Sequence, residues 1–177
     1  MKITIRVLLA VAAFTFGAHS LSAEGGYSFA LVRESKKLGQ ENSQSMSTTR
    51  SKEDWAYKVT IENKSFKDAE NIEIKYIIFM QPAQIGKREK GNMELVRNQG
   101  EEKVPVLKNF EKYSFVTQPV TRECTKLKAG WYYTSGASAR AKDSLSGLWV
   151  RIFVGGKQVM ESVEPPSLKT KEPWEQK

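Results

Sequence analysis

Histidine and cysteine each occur once in this chain of 177 residues. A single cysteine, Cys124, excludes an intrachain disulfide, so the fold must be held by burial of apolar surface rather than by covalent staples. Cys124 itself reads as a small, part-buried apolar residue; a reactive thiol or a link to a second chain is the alternative. The one histidine, His19, lies inside an N-terminal segment with the pattern of a secretory leader. Once that segment is removed, histidine-based acid and base catalysis, Ser–His or Cys–His nucleophiles and histidine-ligated metals are all excluded. The chain also lacks any apolar run near the roughly 20 residues that a membrane-spanning helix needs.

The leader is read from Lys2 and Arg6, the apolar run Val7–Gly17, and the small residues that follow. Cleavage after Ser20 or after Ala23 fits. The run is too short for a permanent anchor, and no cysteine near the cleavage region could carry a lipid. The expectation is a cleaved signal peptide over 1–23 and a mature chain that is periplasmic, at the cell surface or secreted, with no transmembrane span after processing. Loss of Lys2 and Arg6 lowers the formal net charge from +8 to +6.

With 40% hydrophobic and 27% charged residues the chain has enough apolar content for one folded domain, placed here at 24–168 with a polar tail at 169–177. Period-two alternation dominates, and no segment shows a helical period. Strands are expected at 27–34, 54–63, 71–81, 93–98, 103–107, 112–118, 124–128, 148–154 and 157–163. In 54–63, Trp55, Tyr57, Val59 and Ile61 share one face; in 71–81, Ile72, Ile74, Tyr76, Ile78 and Met80 do. Residues 35–52 and 135–144 read as polar loops. Gly155-Gly156 between two alternating runs suits a tight hairpin turn. The fold class is all-β: an antiparallel immunoglobulin-like β-sandwich of about seven to nine strands. An OB-like barrel is the alternative.

No motif carries a reaction. Gly155-Gly156-Lys157 lacks the spacing of a phosphate loop, no calcium-loop pattern appears, and no Cys/His cluster exists for zinc. The acidic residues Glu53, Asp54, Glu101, Glu102 and Glu111 read as solvated charge rather than as a catalytic pair. Asn63-Lys64-Ser65 matches an N-glycosylation triplet, a pattern short enough to occur by chance. The expectation is a non-enzymatic chain without catalytic residues, cofactor or metal.

Three features point to binding. Basic residues gather at Lys87, Arg88 and Lys90, at Arg122, Lys126 and Lys128, and at Arg140 and Lys142. Outside the cytoplasm such charge favours acidic glycans, lipid headgroups or surface polymers, and nucleic acid is not the expected partner. Scattered solvated lysines are the alternative, because acids are interleaved among them. Trp131, Tyr132 and Tyr133 stand together and would suit a sugar-stacking platform; the competing placement puts Trp131 and Tyr133 in the core with Tyr132 outward. Finally, 71–81 and 148–154 are apolar on both faces. If they are neighbours, Ile77, Phe79, Trp149 and Phe153 share an outer face, which should be polar in a one-sided sheet. Either a loop such as 35–52 or 135–144 covers it, or a second copy or partner chain does.

Residues 57–76 (YKVTIENKSFKDAENIEIKY), 130–136 (GWYYTSG) and 145–169 (LSGLWVRIFVGGKQVMESVEPPSLK) together resemble small exported immunoglobulin-like proteins of verrucomicrobial and planctomycete bacteria, some encoded beside type IV pilus-like genes. The resemblance covers about 55–168 and rests on structural motifs. It implies an envelope or pilus-type protein partner and supplies no catalytic residues. The sequence thus points to a binding or assembly module of the bacterial envelope, with recognition of acidic, mucin-like carbohydrate as the alternative.

Overall fold

Alternating apolar side chains need a second layer to bury against, and nine strands supply two such layers. A computed structural model describes residues 26–83, 94–134 and 138–175. In chain order these form β1 Phe29–Gln44, β2 Thr48–Asn63, β3 Ala69–Gln81, β4 Val96–Leu107, β5 Lys112–Val116, β6 Val120–Leu127, β7 Arg140–Lys142, β8 Ser144–Val154, β9 Lys157–Glu164 and the single turn of helix α1 Leu168–Lys171. The leader at 1–23 and the basic residues Lys87, Arg88 and Lys90 lie outside the described residues. No helix among the described residues is long and apolar enough to cross a membrane.

One antiparallel sheet has the order β1-β2-β6-β7, with β5 also on β2; the other has the order β4-β3-β8-β9. The long β2 serves two partners in succession: Lys58–Glu62 pair with β5, and Thr48–Trp55 pair with β6. Val59 and Ile61 from the first sheet meet Ile72, Ile74, Tyr76, Ile78, Val150 and Ile152 from the second in one continuous core. The architecture is an immunoglobulin-like antiparallel β-sandwich. Its sheets stay separate, so the closed barrel is not adopted.

Several boundaries differ from the sequence reading, each for a physical reason. The expected loop at 35–52 is the outer half of the β1–β2 hairpin, paired through to Gln44 opposite Thr49. Its side chains are polar and mostly exposed, so no buried face marks it in the sequence; main-chain hydrogen bonds hold it. The two short strands expected at 93–98 and 103–107 are one, β4. Pro105 is accommodated there because β4 is an edge strand, where a missing N–H can face solvent. The 135–144 loop contains β7, which pairs Arg140 with Lys126. Gly155 and Gly156 do form the β8–β9 turn, with φ of +56° and +80°, the two left-handed residues of a type I′ turn.

The polar tail is the largest difference. Helix α1 and Trp174 lie across the outer face of the second sheet and bury Ile77, Phe79 and Trp149, with Leu168 at the centre of that cluster. Trp174 meets Trp149 edge to face, centroids 5.3 Å apart. The Arg151 guanidinium sits 4.3 Å from the Trp174 ring centroid. Arg97 on β4, almost wholly buried, donates to the Trp174 carbonyl at 2.7 Å and faces Glu172 at 3.7 Å. Glu161 on β9 accepts from Arg151 at 2.8 Å and from Lys169. Burial pushes its carboxyl up, but the hydrogen bonds from Lys169 and Arg151 outweigh this and hold it below the usual carboxylate range.

Candidate functional site

The doubly apolar face comes first, because the sequence singled it out. β3 and β8 are neighbours as expected, with Ile77 opposite Trp149 and Glu73 opposite Phe153. The face is nevertheless not open for docking. Ile77, Phe79 and Trp149 are buried under the C-terminal segment, and Phe153 is half-buried with the Lys75 ammonium 5.4 Å from its ring centroid. The expected cover was a loop or a partner chain; the chain covers the face with its own last residues instead. At roughly 1.5–3 kcal/mol for each buried large side chain, keeping Ile77, Phe79 and Trp149 from water contributes on the order of 5–9 kcal/mol. These residues act in stability, not as a partner interface.

The second candidate lies where β1, β2, β6 and β7 end together. β6 and β7 form a hairpin in which Lys126 faces Arg140 and Cys124 faces Lys142. Leu127 N–H closes it on the Ala139 carbonyl at 2.8 Å, and Lys128 N–H ties it to the Ser47 carbonyl in the β1–β2 turn at 2.9 Å. The connection between the paired strands carries Trp131, Tyr132 and Tyr133. Trp131 is 51% and Tyr132 80% exposed, and Tyr133 is half-buried. Placing Trp131 in the core is therefore incorrect: β6 ends at Leu127, and the Trp131 N–H bonds the Lys128 carbonyl in a turn beyond the reach of the opposite sheet. Met46, at the tip of the β1–β2 turn, adds a third apolar side chain that is 85% exposed. The sequence reading passed over Met46 because it assigned that stretch to a loop.

Charge is sorted unevenly along this end. Glu123 takes Lys52 at 3.4 Å and Arg50 at 3.9 Å. Glu53 takes Arg122 at 2.5 Å and Lys37 at 2.9 Å, with a third hydrogen bond from the Trp55 indole at 3.1 Å. The Arg122 guanidinium also lies 4.5 Å from the Trp55 ring centroid. Arg122 is thus a structural residue, and its hydrogen bond is the main cause of the low pKa of Glu53, about 2, with that from Lys37 next. The side chains of Lys126, Lys128, Arg140 and Lys142 have no acidic or hydrogen-bonding partner among the described residues. Of the residues expected to bind a polyanion, Trp131, Tyr132, Tyr133, Arg140 and Lys142 are brought to this hairpin. Cys124 is a free, part-buried thiol within it.

The glycosylation triplet resolves into architecture. Asn63 is wholly buried, and its amide donates to the carbonyls of Lys67, Leu107 and Lys108 at 2.9, 3.1 and 3.2 Å. A side chain so enclosed is not an acceptor in the folded chain.

No family model and no curated protein matches this chain. Among solved structures it is similar to the X-ray structure of a Northeast Structural Genomics Consortium target, SoR45, with 10% sequence identity and a TM-score of 0.40 over 76% of this chain and 80% of that one.

Proposed function

We propose that the chain is an exported, non-enzymatic binding module whose recognition end is the β6–β7 hairpin, and that its ligand is an acidic carbohydrate. One observation carries this reading: exposed Trp131 and Tyr132 share a hairpin with four cations that no side chain of the described residues neutralises. Flat rings cover the apolar faces of sugar rings, and neighbouring ammonium and guanidinium groups meet carboxylate or sulfate substituents. The leader pattern supports a location where such polymers occur. Rigid strands on both sides of the loop favour the binding role, since the cations at 126, 140 and 142 are fixed by ladder register rather than free to wander.

The test is titration of the chain with a sulfated polysaccharide and with its desulfated form. Tight binding to the first alone, weakened by added salt, is expected. Trp131→Ala should weaken it about tenfold, the scale of one exposed ring losing its apolar contact. Arg140→Ala with Lys142→Ala should flatten the salt dependence. Binding that survives both changes would overturn the assignment.

A further inference from the structure

The far end of the sandwich carries a second apolar feature, in turns where strand alternation gives no signal. The β2–β3 turn and the β4–β5 turn each place a phenylalanine two residues after a lysine: Lys64-Ser65-Phe66 and Lys108-Asn109-Phe110. The two rings meet edge to face with centroids 5.5 Å apart. Even so, Phe66 is 92% exposed and Phe110 51%. They form a convex apolar tip made from two separate turns.

The tip is built rigidly. Buried Asn63 binds both turns at once, donating to Lys67 in one and to Leu107 and Lys108 beside the other, while its Oδ1 accepts the Ser65 N–H at 2.9 Å. Asp68 accepts the Asn109 N–H at 2.9 Å, and Glu111 accepts the Lys108 N–H at 2.8 Å. Phe110 N–H reaches the Asn63 carbonyl at 2.8 Å. Phe110 itself holds a φ of +59°, a left-handed conformation that asparagine or glycine adopts with less strain. An aromatic ring at such a position is costly for the fold and is only half-buried in return. Strain of that kind points to a use outside the chain.

The order of side chains at the tip selects the occupant. Lys64 and Lys67 flank Phe66 in the chain, and Lys108 and Lys112 flank Phe110. Acids stand among them: Asp68 and Glu111 accept backbone N–H groups, Glu62 lies between Lys64 at 2.6 Å and Lys112 at 3.8 Å, and Glu70 is exposed on β3. Tyr27 stands behind the tip, beneath the Lys67 ammonium 4.0 Å from its ring centroid. Apolar rings outermost, with lysine and tyrosine set back, is the order of side chains at a lipid interface. We infer that this end docks on an anionic lipid surface, with Phe66 and Phe110 entering the acyl boundary and the lysine rim meeting headgroup phosphates.

Vesicle co-sedimentation tests the inference. The chain beginning at Glu24 is suitable, because it contains every contact described above and lacks the apolar run at 7–17, which could itself enter lipid. It should sediment with phosphatidylcholine vesicles containing phosphatidylglycerol, and far less with phosphatidylcholine alone. Phe66→Ser combined with Phe110→Gly should weaken that binding by about tenfold or more with a thermal midpoint no lower than that of the parent chain. Phe66→Ser alone, at a nearly fully exposed position, should give a partial loss without touching the strained turn. Lys126→Ala with Arg140→Ala should leave vesicle binding intact even if it abolishes carbohydrate binding. Failure of the parent chain to bind the anionic vesicles, or equal binding by the phenylalanine variants, would overturn the inference. So would loss confined to the β6–β7 variant, or lipid-free self-association abolished by Phe66→Ser, which would identify a second copy as the occupant.

Discussion

Glu53 shows how one side chain can make the sandwich sensitive to acid. It is ionised in the folded chain down to about pH 2, held there by Arg122 and Lys37, whereas an unfolded glutamate takes up its proton near pH 4.3. The folded state therefore binds this proton more weakly. The stabilisation is fully present above the unfolded pKa and is lost as pH falls through about 5 toward 2. Glu53→Gln should be less stable than the parent chain at neutral pH, and the difference should close across that window when urea midpoints are compared. A constant difference would assign the effect to shape rather than charge. Neither Glu53 nor Asn63 shows its role in the sequence. Glu53 read as solvated charge, and Asn63 as a glycosylation triplet, because the partners that define them lie far along the chain: Arg122 for the first, Leu107 and Lys108 for the second.

At the scale of elements, legibility followed the presence of a buried face. β3 and β8 were plain because apolar residues fill both of their faces, and the β8–β9 turn was plain because two glycines sit between alternating runs. The outer halves of β1 and β2 were hidden, since strands held by main-chain hydrogen bonds and exposed polar pairs, with no buried face, leave no apolar alternation in their side chains. The cover over Ile77, Phe79 and Trp149 was hidden for another reason. Two isolated apolar residues in a polar stretch, Leu168 and Trp174, make no pattern; contacts with distant strands, from Arg97, Trp149, Arg151 and Glu161, fix where the segment lies. Ending the chain at Pro166 should expose this face. We expect a loss of several kcal/mol in urea unfolding, within the transfer free energy of three large side chains, and larger species in sedimentation velocity as the bared faces associate. An unchanged midpoint with an unchanged sedimentation profile would mean that α1 and Trp174 are not what keeps the face dry.

For the whole molecule, the fold class was legible because sandwich burial imposes alternation throughout, and the exposed side chains at its two ends only in part. Trp131–Tyr133 and the paired cations were visible as composition, while Met46, Phe66 and Phe110 were not, since a turn residue's exposure depends on what the other turns do. The two ends lie at opposite ends of β2, whose 16 residues span about 50 Å at roughly 3.3 Å each. Sites so far apart, with no shared side chain, should act independently. If the hairpin end takes an acidic polysaccharide and the phenylalanine end takes lipid, the intact chain should tether the one to the other. A labelled sulfated polysaccharide should then sediment with anionic vesicles only when the chain is present. Trp131→Ala should weaken tethering about tenfold while the chain binds vesicles as before, and Phe66→Ser with Phe110→Gly should weaken it at least about as much while the chain binds polysaccharide as before. If either variant lost both activities, the ends would be coupled through β2, and the picture of two independent sites on one rigid sheet would have to be abandoned.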